Sequence, residues 1–221
     1  EMCIRDSYIN SRLYGEYEAY ICDSARHYVN RNIEIAVRLG RQDWLNESKL
    51  KKAHLLATSG LYAEGVRLLE TLDKGSLSAN SLIDYYMAFE NIYLYHAEYA
   101  QDDEYMPVYL KKMNVYRDSI LQLVPENTYR YVITKGPGLV DENRQKEAEE
   151  LLTGFLVKVS PDTREYAVIT SILAFVYQYD NSPELRKIWL AKSAMADIQG
   201  VVKENNSLRA LACLLYTSDA A

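Results

Sequence analysis

The sequence predicts an all-α protein, a right-handed superhelix of about five stacked helical hairpins, and three observations carry that prediction. Small residues that open amphipathic helices recur at Ala25, Gly65, Ala148 and Ala191, with separations of 40, 83 and 43 residues; the middle interval is two steps of about 41. Nine glycines and five prolines in 221 residues are few for a protein of short strands and turns, and suit long helices joined by brief corners. The stretch Thr58 to Leu72 reads as one such corner. Gly60 ends a helix by entering the left-handed region without a Cβ clash, and Tyr62, Val66 and Leu69 begin a new apolar stripe at helical spacing. Gly65 is expected to let the second helix of that hairpin lie close to the first.

The elements follow in order. Tyr8 to Tyr20 reads as a short first helix, and Asp23 or Ser24 as the cap of a second one ending at Gly40, with Ala25, Tyr28, Val29, Asn32, Ile33, Ala36 and Val37 on its apolar face. The second hairpin spans about Asp43 to Thr58 and Tyr62 to Leu72. The third opens with the densest aromatic helix, Ser81 to Ala100, where Leu82, Tyr86, Phe89, Tyr93 and Ala97 line one face and Tyr85, Ile92, Tyr95 and Tyr99 widen it. A helix apolar over so much of its circumference belongs between neighbours. Pro107 introduces its partner, with Val108, Met113, Tyr116, Ile120 and Leu123 inward and Pro125 as the stop. In the fourth hairpin, Thr128 to Thr134 is a short helix, Lys135-Gly-Pro-Gly138 is expected to be a non-helical corner, and Asp141 to Val159 restores the pattern. The fifth is expected to be capped by Ser160 with Pro161 in its first position, to end near Tyr179, and to return from Asn181-Ser-Pro183 to Gln199. Gly200 then breaks the chain, and Val201 to Ala212 begins a helix without a partner. That edge is expected to fray and to self-associate, because a repeat buries its apolar face only against neighbours.

Both ends look foreign to this pattern. Residues 1–7 and 213–221 resemble adapter-derived read-through, which assigns 8–212 to the repeat domain, cut at its carboxy end. Cys22 is the one cysteine of 8–212, so a disulfide framework has no basis there.

The formal charge of −6 and a pI near 5.2 argue against a nucleic-acid surface, which needs concentrated lysine and arginine. His27, His54 and His96 stand too far apart in sequence for a shared helix-face metal site. Lys135-Gly-Pro-Gly138 lacks the ending of a phosphate loop, and Asp102-Asp-Glu104 lacks calcium-loop spacing. No convergent acid, base and nucleophile set is present, so an enzyme is not expected, and neither is a cofactor.

Aligning Gly60 with the corner glycine of a tetratricopeptide repeat brings Tyr62, Gly65 and Leu69 onto that family's aromatic, small and large positions, with Ala53 and Leu56 on those of the first helix. A more specific resemblance rests on Tyr17-Glu-Ala-Tyr-Ile-Cys-Asp-Ser-Ala25, Ser59-Gly-Leu-Tyr62, Asp84-Tyr-Tyr86, Tyr116-Arg-Asp-Ser119, Ser193-Ala-Met-Ala-Asp-Ile198 and Lys203-Glu-Asn205. These stretches resemble the amino-terminal repeat region of a Bacteroidales family of membrane-anchored transcriptional regulators that contain a domain of unknown function. The resemblance implies a non-catalytic protein-interaction or ligand-sensing module on the periplasmic side, with a protein or peptide partner, no nucleic acid bound through this segment, and membrane contact only through regions outside it. The alternative is a carbohydrate-binding lipoprotein domain of a nutrient-uptake system, which also combines such helices with aromatic stacking.

Candidate contact residues come from two sources. In the Gly60 alignment the groove positions of the first helix become Glu47, Leu50, His54 and Thr58, which lack the lysine-asparagine pair of a carboxylate clamp. Among the twenty tyrosines, most fall on core-spaced positions and are expected to pack, while Tyr129, Tyr131 and Tyr177 fall off the stripes and are candidates for a groove.

Overall fold

A computed structural model describes residues 2–18, 21–100, 102–199 and 209–213. Every regular element among them is helical: α1 (Met2–Tyr17), α2 (Cys22–Leu39), α3 (Gln42–Thr58), α4 (Tyr62–Glu70), a 3-10 turn (Lys74–Ser76), α5 (Ala79–Ala100), α6 (Met106–Leu121), α7 (Tyr129–Asp141), α8 (Gln145–Leu156), α9 (Arg164–Tyr179) and α10 (Pro183–Gln199). Consecutive helices pack in pairs, α1 with α2 through α9 with α10, giving the expected hairpins. The chain divides into two compact units, Glu1–Leu123 and Val124–Ala221.

In the first unit the pairs are joined by contacts of α2 with α3 and of α5 with both α3 and α4. Its core centres on Leu69, Phe89, Ile92, Tyr93 and Met113, with a smaller cluster of Tyr14, Ala25, Val29 and Leu55 beneath α1–α3. In the second unit α9 packs on both α7 and α8, and Val132, Leu152, Ile169 and Leu173 are its centre.

Four corners share one geometry. Gly40, Gly60, Asn143 and Asn181 have φ of 63°, 76°, 60° and 53°, and each is followed two residues later by the start of a helix. At each, the next N–H donates back to a carbonyl of the preceding helix: Arg41 to Ala36 (2.9 Å), Leu61 to Leu56 (2.8 Å), Arg144 to Leu139 (2.8 Å) and Ser182 to Tyr177 (3.0 Å). This six-to-one bond around a left-handed residue satisfies the last carbonyls of the outgoing helix. Glycine supplies the conformation in the first unit, and asparagine in the second, where its short polar side chain tolerates that region.

Several expectations are corrected. The Lys135-Gly-Pro-Gly138 stretch is helical, inside α7, although Pro137 removes an N–H from the ladder. Burial outweighs that loss, because Val132, Thr134, Gly136, Leu139 and Val140 on both sides of the proline are all interior. Gly136 serves packing and not turning: a Cβ there would sit 3.1–3.3 Å from the side chain of Leu152. The corner therefore moves to Asn143, and α8 starts at Gln145 and not at Asp141. Helix α2 starts at Cys22 with Ile21 at its cap, so Asp23 lies in the first turn and pairs with Arg26. Thr163, not Ser160, caps α9, its hydroxyl accepting from the Tyr166 N–H at 3.3 Å. Val37, Tyr99, Val108 and Leu123, placed on apolar faces by periodicity, are exposed, and Ile35 is buried in place of Val37. The close approach at Gly65 is to Ile92 of α5, whose Cδ1 would lie 2.9 Å from an added Cβ; the first helix of the hairpin comes no nearer than the Ala53 carbonyl at 3.7 Å. Helix α1 runs through residues 2–7 and ends at Tyr17. The break expected at Gly200 and the helix from Val201 lie outside the described residues, apart from a helical stretch at 209–213.

Candidate functional site

The first unit carries an aromatic ladder built on α4, α5 and α6. Helix α5 presents Tyr85, Phe89, Tyr93 and His96 at helical spacing, and Pro107 in the first turn of α6 starts the antiparallel helix that brings Tyr109 and Tyr116 against them. Phe89 stacks on Tyr116 with centroids 4.6 Å apart, Tyr116 on Tyr93 at 5.8 Å, Tyr93 on Tyr109 at 6.4 Å, and Tyr109 on His96 at 3.9 Å. Tyr62, at the start of α4, covers the other face of His96 at 4.8 Å and meets Tyr99 at 6.4 Å. Such ring pairs lie in or near the range where aromatic contacts add about 0.5–1.5 kcal/mol beyond burial. The ladder thus leads from the core out to Tyr99, 80% exposed, and Tyr105, 52% exposed, stands near it in sequence at the α5–α6 corner.

Its electrostatics follow from depth. Burial first, then neighbouring tyrosines and Glu70, pushes the Tyr116 phenol up to about 12. Burial likewise raises Tyr62, Tyr85 and Tyr93. His96 moves the opposite way, lowered by burial and then by the Lys112 ammonium, so the imidazole is neutral between its two tyrosines. Beneath the ladder Arg117 donates from Nε to the Glu90 carboxylate at 3.0 Å, both residues being buried. Around the exposed corner Glu98, Asp103 and Glu104 face solvent.

The residues proposed from sequence fall in both units. Glu47, His54 and Thr58 share α3: Glu47 is exposed and accepts from Lys51 Nζ at 2.7 Å, and the Thr58 hydroxyl donates to the His54 carbonyl at 3.2 Å. Glu47 also lines a pocket of about 280 Å³ between α1, α2 and α3, together with Ile4, Ser7, Tyr8, Ser11, Asn32, Trp44 and Ser48. Asn32 is 6% exposed; its Nδ2 donates to Ser11 Oγ at 2.9 Å, and its Oδ1 is buried with no hydrogen-bond partner, a deficit that ordinarily costs about 1–3 kcal/mol. Tyr129 and Tyr131 lie in the first turn of α7 in the second unit, half-buried against its core. Tyr177 is a correction: at 6% exposed it belongs to the interior of α9. Its hydroxyl donates to Glu149 at 2.6 Å and accepts from the Trp189 indole, and burial followed by Glu149 pushes it up to about 12.

His96, Lys112, Glu90 and Arg117 were not legible as a group, yet a signal existed. Glu90 lies seven residues from both Ile83 and Ala97, and Arg117 falls four after Met113 and three before Ile120, so each charge occupies an inward register position. Among the described residues no group of three or more His, Cys, Asp or Glu could hold a metal ion, and no helix is long and apolar enough to cross a membrane.

The profile of the family described as the SusR N-terminal TPR domain matches residues 5–221. The chain belongs to that family. As a SusR N-terminal TPR domain it shares the tetratricopeptide architecture of a solved structure, that of a thermophilic TPR protein from Thermus thermophilus, at a TM-score of 0.68 and 16% identity over 97% of this chain and 99% of that one. At that identity the likeness is one of fold. No curated protein matches the sequence. TPR domains are typically non-catalytic scaffolds and commonly mediate protein–protein interaction, and the surfaces open to contact here include the exposed end of the ladder and the α1–α3 pocket.

Proposed function

We propose that this TPR domain is the partner-sensing segment of a membrane-anchored transcriptional regulator, held on the periplasmic side, and that its partner is a protein or peptide segment bearing lysine or arginine. The observation that carries the reading is the exposed end of the aromatic ladder. Tyr99, which meets Tyr62 of the ladder, and Tyr105 stand in solvent at a corner whose sequence carries three exposed carboxylates. Tyrosine faces attract cations and supply rigid contact area at low entropic cost, and adjacent carboxylates favour a basic partner over an acidic one. The stacked rings behind Tyr99 are in place before the partner arrives, which limits the ordering cost of binding there.

The test uses the complete reading frame in its own cell. Tyr99→Ala combined with Tyr105→Ala should abolish the transcriptional response, with protein level and helical circular dichroism unchanged. A full response from that variant would sink the reading. A reading frame with an amino-terminal lipobox and no membrane helix would replace it with a surface lipoprotein.

A further inference from the structure

Helix α10 is apolar on two opposite sides. Its inner side packs on α9, where Leu190 and Ala194 are buried and the Ser193 hydroxyl donates to the Ala167 carbonyl at 2.8 Å. The outer side carries Ile188, Ala191, Met195 and Ile198 at spacings of three, four and three, the seam by which one helix packs along another. Three of these stand open to solvent: Ile188 is 50%, Met195 54% and Ile198 70% exposed. Elsewhere in the fold the second helix of a hairpin packs on the helix that follows it, α2 on α3, α4 on α5 and α8 on α9. We propose that the α10 seam receives an amphipathic helix of a partner protein, one whose own apolar stripe is bordered by Asp or Glu.

The charges along the seam choose between the helices that could lie there. Lys187 borders one edge and Lys192 the other. Lys187 is shared with Glu184 at 3.2 Å, whereas Lys192 lies over the Trp189 ring at 3.9 Å, a contact that leaves its charge undiminished. A second copy of α10 is disfavoured in either direction. Parallel pairing sets Lys187 opposite Lys192 of the other copy, since these are the two flanking positions that meet across a parallel seam. Antiparallel pairing, with Ile188 opposite Ile198 and Ala191 opposite Met195, puts the two-fold axis near Ser193 and brings the two copies of Lys192 together. A helix with carboxylates at the flanking positions meets the same lysines favourably and still covers the four apolar side chains. From Ile188 to Ile198 the seam runs about 15 Å, three turns of such a partner.

The experiment titrates the 221-residue chain into a fluorescein-labelled peptide of three heptads, with leucine at the two apolar positions and glutamate at the flanking ones, and follows anisotropy. Saturable binding is expected, and it should vanish in Met195→Glu, an exposed change that leaves the helical circular dichroism intact. The same peptide with lysine at the flanking positions should bind this seam about ten-fold or more weakly. Lys187→Glu combined with Lys192→Glu should reverse that preference, and it decides the matter if Met195→Glu fails to fold. Absence of saturable binding, binding of the acidic peptide that survives Met195→Glu, or a preference that ignores the double charge reversal would each overturn the proposal. So would a dimer of the chain in sedimentation that Met195→Glu dissociates, because the seam would then belong to a second copy.

Discussion

His96 shows how one ring can make a helix pair sensitive to acid. Its folded value lies below the ordinary 6.5, so on acidification the unfolded chain takes the proton first and folding loses ground. The contribution is complete above about pH 6.5 and falls as the pH drops through that value toward the lowered one. Thermal melts between about pH 5 and 7 should therefore lose their His96 contribution in His96→Phe, seen as a shallower rise of stability with pH, since phenylalanine keeps the stack and has nothing to titrate. A wild-type slope retained in that variant would place the effect elsewhere. The Glu90–Arg117 pair makes a second claim at the same scale. Glu90→Leu should cost about 3–5 kcal/mol by urea denaturation because it takes the carboxylate counter-charge from a buried guanidinium, and Glu90→Leu with Arg117→Met should recover most of that. Neither group was read from the sequence, because sorting residues by polarity takes a charge as outward-facing even where, as for Glu90 and Arg117, its register is inward. Tyr177 failed for a related reason. Its hydroxyl is satisfied internally by Glu149 and Trp189, so a tyrosine off the predicted stripe could still be core.

At the scale of elements, the recurring left-handed corner divides what could be read from what could not. Gly40 and Gly60 announced themselves. Asn143 and Asn181 did not, because asparagine is common in exposed positions of every kind and enters this conformation only when the flanking helices demand it. Helix α7 was misread for the converse reason: glycine and proline are turn residues by local preference, and only the contact with Leu152 reveals that Gly136 is there to be small. The two kinds of glycine predict different failures. Gly60→Ala should cost about 1–2 kcal/mol from backbone strain alone, for nothing lies within 4 Å of its added Cβ. Gly136→Ala should also destabilise, by about 1–3 kcal/mol, through overpacking against a fully buried leucine. Shortening that neighbour distinguishes them: Leu152→Val should relieve part of the second defect and none of the first, measured as non-additivity in a double-mutant cycle.

For the whole molecule, the all-helical hairpin class was legible because spacing, small residues and corner glycines all pointed one way. The division into two units was not, since no composition shift marks Leu123–Val124 and the boundary falls in an ordinary corner. Within each unit stability should be uneven. Helices α5 and α9 are packed by helices on more than one side and carry the longest spans of buried residues in their respective units, from Ile83 to Ala97 and from Ala167 to Tyr177. Their amides are expected to exchange slowest in their respective units by mass-resolved hydrogen exchange, and α1 faster than α5. Faster exchange in α5 than in α1 would contradict the sandwiched role of the aromatic helix.

The two tryptophans fall one in each unit, Trp44 beneath Arg41 and Trp189 beneath Lys192 at 3.9 Å. Each half of the chain therefore carries a single red-edge chromophore with a cation held over it. Emission excited beyond the tyrosine band reports the first unit alone in Trp189→Phe and the second alone in Trp44→Phe, with no label attached.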